Sequence, residues 1–275
     1  MTAHVLTDSL TMLRRSLRRM RRYPSLTLFI AGIPVVLLLL FVYVFGGTLG
    51  AGLGGPGPAA GGADGPGSLG RDAYLAYVVP GILVITVAGA AQGTAISVAM
   101  DMTAGIIARF RTMAIARGSV LAGHVIGSVI QALLATALVV VVALLIGFRP
   151  TTGPGAWLAA FGMLVLASVC VSWISVALGL VSDSVETASN LPMFLMLLPF
   201  LSSGFVPAAS LPAPLEWFAD HQPFTPIIET LRGLLLGTPI GNDAWIAVAW
   251  CLVLSLAGYL WARRLYERVP ARTAA

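Results

Sequence analysis

The sequence predicts an all-α integral membrane protein with six transmembrane helices, an amino-terminal amphipathic interfacial helix and a short outer-leaflet return helix between spans five and six. Composition is the first reason: 58% of the 275 residues are hydrophobic and 10% charged, with a mean hydropathy of +0.93, whereas soluble domains carry about 25% charge. The second is that the apolar residues gather into runs as long as the roughly 20 helical residues that cross a bilayer. The third is charge placement. Every one of the 16 basic residues is arginine, and they cluster at the ends of the apolar runs.

Taken in order, Leu6, Leu10, Leu13, Leu17 and Met20 recur at three- and four-residue steps with Arg14, Arg15, Arg18, Arg19, Arg21 and Arg22 between them. That spacing makes residues 1–24 a basic amphipathic helix on the cytosolic membrane surface, where anionic lipid contributes about 1 kcal/mol per nearby basic residue. Nothing in it resembles a nucleic-acid module. Pro24 ends the helix and turns the chain into a first span at about 26–45, with Gly32 and a kink expected at Pro34. Residues 46–70 hold twelve glycines and three prolines, too little apolar content to fold alone, so this segment reads as a flexible loop. Spans follow at about 74–100, 119–146 and 156–181.

The fifth span is set by length. Leu191 to Val206 would cover only about 24 Å of a hydrocarbon core about 30 Å thick, so the span must begin near Val185, which places Glu186 at a membrane face. The next apolar segment, Ile227 to Leu236, reaches only about 15 Å and should dip into one leaflet or lie along it. Thr225 would cap it, Pro226 would occupy its first position, and Gly237 with Pro239 would stop it. Glu229 and Arg232, three apart, would pair on one face while Ile227, Ile228, Leu231, Leu234 and Leu235 cover the other. A sixth span at about 244–262 and a tail at 266–275 complete a transmembrane domain over 25–265. With a cytosolic amino terminus, thirteen arginines fall inside and only Arg71, Arg149 and Arg232 outside. Both termini are therefore expected to be cytoplasmic in a multi-pass plasma-membrane protein.

Several chemistries are disfavoured by the same residues. A chain with no lysine cannot hold the Gly-x-x-x-x-Gly-Lys loop that grips nucleotide phosphates. A proton-coupled transporter keeps a carboxylate or histidine in mid-membrane, but Asp101, Asp183 and Glu186 lie at span ends, and His124, one turn into the third span, reads as a structural hydrogen-bonding group. Ser168, Ser172 and Ser175 share one side of the fourth span and suit helix packing better than nucleophilic chemistry. Cys170 and Cys251 sit inside apolar runs as small core residues, not a disulfide or metal pair. The polar groups Thr86, Gln92, Ser97, Gln131 and Asn190 are candidates to line a path for an amphipathic or apolar small molecule. Between spans two and three, Asp101, Gly105, Arg109, Phe110 and Arg111 form a charged stretch with one aromatic, suited to docking a cytosolic partner.

The basic leader, six spans, polar second-to-third loop, the element Gly204 to Pro207, Gln222-Pro223 and the run Leu231-Arg232-Gly-Leu-Leu-Leu-Gly237 together resemble the ABC-2 type transporter permeases, most closely the daunorubicin-resistance group of drug-exporting membrane subunits. Many members carry a proline before the third span where this chain has Ala114. The resemblance implies a homodimer packed through spans one and five, above two copies of a separate ABC ATPase that holds the ATP and Mg²⁺. No cofactor is expected on this chain. It also implies that the leader and Asp101 to Arg117 transmit nucleotide-driven motion, with Glu186 a further coupling candidate. The outer gate it implies comprises Gly204, Pro207, Pro223, Glu229 and Arg232. Lipid or lipid-linked glycan export uses a similar fold and is the first alternative to drug export; proton-coupled transport is the second.

Overall fold

A computed structural model describes residues 24–48, 66–104 and 117–268, and every regular element among them is helical. The basic leader, most of the glycine-rich segment, Gly105, Arg109, Phe110, Arg111 and the last seven residues lie outside the described residues. Five helices are long and apolar enough to cross a membrane. Helix α1 (Pro24–Leu40) runs on through Pro34 and passes into a π-helical turn at Phe41–Phe45. Helices α2 (Pro66–Thr103), α3 (Arg117–Leu145) and α4 (Pro154–Val181) follow, and α9 (Asp243–Arg268) closes the order.

Helix α2 is the central column. Its 38 residues rise about 57 Å, well beyond a bilayer core of about 30 Å, so it starts at Pro66, inside the segment expected to be a loop. Its membrane window is 78% buried, against 17% for α9; α2 is surrounded by protein, whereas α9 turns most of its surface to lipid. Small residues let the helices approach closely. A Cβ on Gly179 of α4 would lie 2.6 Å from the Ala95 carbonyl of α2, and one on Gly258 of α9 would meet Trp173 and Ile174 of α4 at 3.0 Å. The fourth-span serines serve this packing: Ser172 bonds the Ser128 hydroxyl of α3 at 2.8 Å, and Ser168 donates to the Leu164 carbonyl.

The expected fifth span is broken. Residues 185–206 form α5 (Val185–Asn190), α6 (Met193–Leu197) and a 3₁₀ turn (Leu198–Leu201) before leaving helical geometry at Ser202. Ser184 caps α5 by accepting the Thr187 N–H. Pro192 and Pro199 explain the interruptions, since each lacks an N–H and its ring opposes the carbonyl one turn back. Average hydropathy does not register either effect.

The return segment also differs from expectation. It is a pair of helices, α7 (Ala213–His221) and α8 (Phe224–Leu236), with Pro223 at the cap position. Thr225 does not cap α8; its hydroxyl donates to the Ala219 carbonyl and ties the two helices together. Nor does α8 lie on the bilayer with a polar face to water. Ile227, Ile228, Leu231, Leu235 and Arg232 are all buried, and the helix packs on α2, α4 and α9. It stops where expected, at Gly237 in the left-handed region with φ 74°, where the Gly237 N–H closes on the Gly233 carbonyl. The last carbonyls are taken up by the α3–α4 loop. Thr151 Oγ1 donates to Leu236 and Thr152 Oγ1 to Leu234, each at 2.7 Å.

Those threonine bonds tie the end of α8 to the α3–α4 loop, and Arg232 ties its middle to the Tyr77 carbonyl near the start of α2. Both ends of the α7–α8 pair are therefore expected on one membrane face. With Cys170 and Cys251 replaced, single cysteines at the exposed positions Ala213 and Thr238 should react with an impermeant maleimide from the same side, and one at Glu267 only from the other. Labelling of Ala213 and Thr238 from opposite sides would make α8 a full span.

Candidate functional site

The most concentrated polar structure is built around Arg232. It sits on an apolar face of α8 with its side chain 9% exposed. A lone guanidinium there would carry a desolvation penalty of several kcal/mol, and the structure surrounds it with acceptors. Nη1 pairs with the Glu229 carboxylate three residues back. Nη2 reaches the Ser203 carbonyl at 2.8 Å and the Tyr77 carbonyl at 3.3 Å. The guanidinium also lies 3.9 Å from the centre of the Tyr77 ring, a distance at which the ring quadrupole attracts a cation. One side chain thus joins α8, α2 and the broken segment after α6.

That segment needs these contacts. Where residues 202–205 leave the helical ladder they are buried, so their carbonyls must bond within the protein. Gln222 Nε2 donates to the Leu201 carbonyl, Tyr77 Oη and Arg232 to that of Ser203, and Tyr74 Oη at 3.3 Å to that of Phe205. Tyr74 and Tyr77 lie three apart on one face of α2, their rings stacked at 6.5 Å. Close backbone approach makes this possible, since a Cβ on Gly81 of α2 would lie 2.8 Å from the Gly204 carbonyl. Phe205 stacks on Phe200 at 4.8 Å and meets Phe41 of the first span at 4.7 Å.

Of the expected gate residues, Gly204, Glu229 and Arg232 meet in this cluster. Pro207 begins the 3₁₀ turn Ala208–Ser210, and Pro223 starts α8. The sequence alone did not indicate Tyr74, Tyr77 or Ser203, and Gln222 entered only as part of the family resemblance. The tyrosine pair at i, i+3 was visible, but its partners lie more than 120 residues away.

At the other end of α2, Asp101 departs from expectation. It is 4% exposed, with Oδ2 3.3 Å from His124 Nε2 of α3. Burial between two spans removes it from a docking surface and makes it a tie between α2 and α3. Glu186 is exposed in the first turn of α5. The polar span residues have different surroundings. Thr86 is fully buried and donates to the Ile82 carbonyl of its own helix, Gln92 donates to the Ser189 carbonyl of α5 at 2.8 Å, and Asn190 is exposed. Ser97 and Gln131 are half-buried, and Gln131 Nε2 has no hydrogen-bond partner.

A family model described as ABC-2 type transporter matches residues 7–236. The chain is 30% identical, over 86% of its own length and 77% of the relative's, to the daunorubicin resistance ABC transporter permease protein DrrB1 of Streptomyces coeruleorubidus. It is 24% identical, over 69% of its length and 71% of the relative's, to the probable doxorubicin resistance ABC transporter permease protein DrrC of Mycobacterium tuberculosis.

Replacing Arg232 by Met keeps the side-chain volume but leaves the Glu229 carboxylate without its donor and takes one of two donors from the Ser203 carbonyl. The expected loss is about 3 kcal/mol, seen as an earlier thermal transition of the purified protein by tryptophan fluorescence. Arg232→Lys should recover only part of it, because a point ammonium cannot span acceptors that a planar fork bridges. A transition unchanged in Arg232→Met would show that the cluster does not hold α8 in place.

Proposed function

The chain belongs to the ABC-2 type transporter family, and from that premise we propose that it is the membrane-spanning permease subunit of an exporter, moving an amphipathic drug or antibiotic out of the cell with ATP hydrolysed on a separate subunit. The observation that carries this reading is the family match over residues 7–236 in a chain without lysine: the fold of an energised transporter is present, and the phosphate-gripping residue is not. The names of the two relatives favour a drug as cargo. The working unit is a homodimer in the plasma membrane with both termini cytoplasmic, joined to two ABC ATPase subunits that bind ATP and Mg²⁺.

In this reading the two ends of α2 have separate tasks. The inner end continues into Asp101 to Arg117, where Arg109, Arg111 and Phe110 face the ATPase, and Asp101 holds α2 to α3 through His124. The outer end carries Tyr74 and Tyr77, which with Arg232 and Glu229 close the exit beside Gly204. Tyr77 and Asp101 are separated along one uninterrupted helix by about 36 Å. Displacement of the inner end by nucleotide binding therefore moves the acceptors of Arg232 directly. Pro207 and Pro223 bound the segment that swings.

Proteoliposomes containing the purified chain alone should neither hydrolyse ATP nor accumulate doxorubicin. Addition of the ATPase should produce both, with no requirement for a proton gradient. Gradient-driven accumulation by the chain alone would overturn the exporter reading in favour of secondary transport, and ATP-driven movement of lipid-linked glycan but not drug would change the cargo class.

Coupling gives a separate expectation. Reversing Arg109 and Arg111 to Glu, or truncating Phe110 to Ala, should weaken ATPase association by about thirtyfold, the loss of about 2 kcal/mol at an interface anchor. The six arginines of the leader keep the orientation signal intact. Normal copurification of both variants would move the coupling surface to the leader or to Glu186.

A further inference from the structure

The contact between α4 and α9 brings together two thiols that lie in separate apolar runs of the sequence. Gly258 of α9 sets the register, since a Cβ there would meet Trp173 and Ile174 of α4. One turn before Trp173 on α4 is Cys170, and it fits between Cys251 and Ser255, which are themselves one turn apart on α9. The Cys170 thiol meets both the Cys251 thiol and the Ser255 hydroxyl. Cys170 is 3% and Cys251 1% exposed, and both are free. Ser255 supplies a separate observation. Ser168 and Ser189 each bond the carbonyl one turn back in their own helix, the usual habit of a helical serine inside a membrane. The buried Ser255 hydroxyl makes no such bond and has no hydrogen-bond partner other than the thiol it faces.

Two thiols in contact have a chemistry that single buried ones lack. Cysteines from distant parts of a chain rarely stand close enough to be bridged, and these do. Zinc does not suit them, because it takes four ligands and among the described residues no third His, Cys, Asp or Glu is placed beside the pair. A disulfide needs no third ligand and leaves no charge in an apolar interior. The same interior keeps charged oxidants out, while α9, the least buried of the five long helices, opens the region to the lipid phase. We propose that Cys170 and Cys251 form a redox-sensitive staple, closed by a neutral, membrane-soluble two-electron oxidant of the quinone or azo class. One bond forms, between the two Sγ atoms. Each thiol gives up a proton and an electron, and the oxidant takes up both pairs to leave as the hydroquinone or the hydrazine. Because the thiolate is the attacking species, the Ser255 hydroxyl has a positioning part, bonding the Cys170 sulfur as its proton departs. The staple fastens α9 to α4 covalently where small residues alone held it. The loop it closes contains the broken span and the α7–α8 pair, so it also removes freedom from the unfolded chain. None of this depends on the exporter reading, which it goes beyond.

The test uses the full-length chain in phosphatidylcholine nanodiscs and diamide, a neutral azo oxidant. After exposure the protein is denatured in excess N-ethylmaleimide, digested without reduction and analysed by mass spectrometry. The peptides carrying Cys170 and Cys251 should appear joined within one chain, with no maleimide on either sulfur, and dithiothreitol should restore both thiols. Cys170→Ser or Cys251→Ser should abolish the link. Ser255→Ala should slow its formation by about fivefold without lowering its final extent. By tryptophan fluorescence the oxidised protein should unfold at a higher temperature than the reduced one, a shift absent from both single-cysteine variants treated alike. Maleimide on both sulfurs after diamide, a link between two chains instead of within one, or a thermal transition that oxidation leaves in place overturns the staple. A rate indifferent to Ser255→Ala overturns the part given to that hydroxyl.

Discussion

The structure depends on how a buried stretch of non-helical backbone is satisfied. A carbonyl without a partner in a water-free interior costs several kcal/mol, and the break after Leu201 creates a run of them. The chain answers with side chains rather than with a ladder. Gln222, Tyr77, Arg232 and Tyr74 serve the carbonyls of Leu201, Ser203 and Phe205 in turn. This requirement accounts for features that otherwise look unrelated. The return pair must insert far enough to bring Gln222 and Arg232 into reach, α2 must present two tyrosines on one face, and Gly81 must lack a side chain so that the backbone of Gly204 can come against it. The broken span, the return helix and the central column are one polar unit inside an apolar bundle.

Much of this architecture was legible as length and hydropathy. The five spans other than the broken one appear close to where the apolar runs put them, and the stop at Gly237 follows from glycine's tolerance of positive φ. The pairing of Glu229 with Arg232 was legible too, because i, i+3 spacing fixes it locally. The break in the fifth span was written in Pro192 and Pro199, but window averages weigh a proline by its polarity and ignore its missing donor. The early start of α2 at Pro66 was hidden by the glycines around it, which are poor helix formers.

The candidate site was half legible for a related reason. A lone arginine and glutamate on an apolar helix announce that something polar is nearby, yet local spacing cannot say that the partners are main-chain carbonyls on two other elements. An amphipathic surface helix and a buried one carry the same pattern when the polar face meets protein instead of water. Asp101 shows the converse. A carboxylate at a span end beside arginines reads as solvent-facing, and only the histidine one turn into the next span, across twelve residues outside the described structure, converts it to an interhelical tie. Both errors arise from assigning polar residues to water by default in a protein whose interior contains polar work.

A closure made of such contacts behaves differently from one made of apolar packing. Apolar surfaces slide past one another with graded loss, because each contact is weak and non-directional. The Arg232 cluster is directional and shared. Ser203's carbonyl accepts from both Tyr77 and Arg232, Tyr77 offers Arg232 its carbonyl and its ring, and Glu229 holds the same guanidinium. Removing any one partner leaves the others buried without compensation, so partial opening is the least favourable arrangement and the cluster tends to be intact or released as a whole. Low dielectric strengthens it when complete and penalises it when incomplete. In the exporter proposed above, helix α2, which carries two of its members and ends some 36 Å away, is the element through which a push at the ATPase end reaches the cluster.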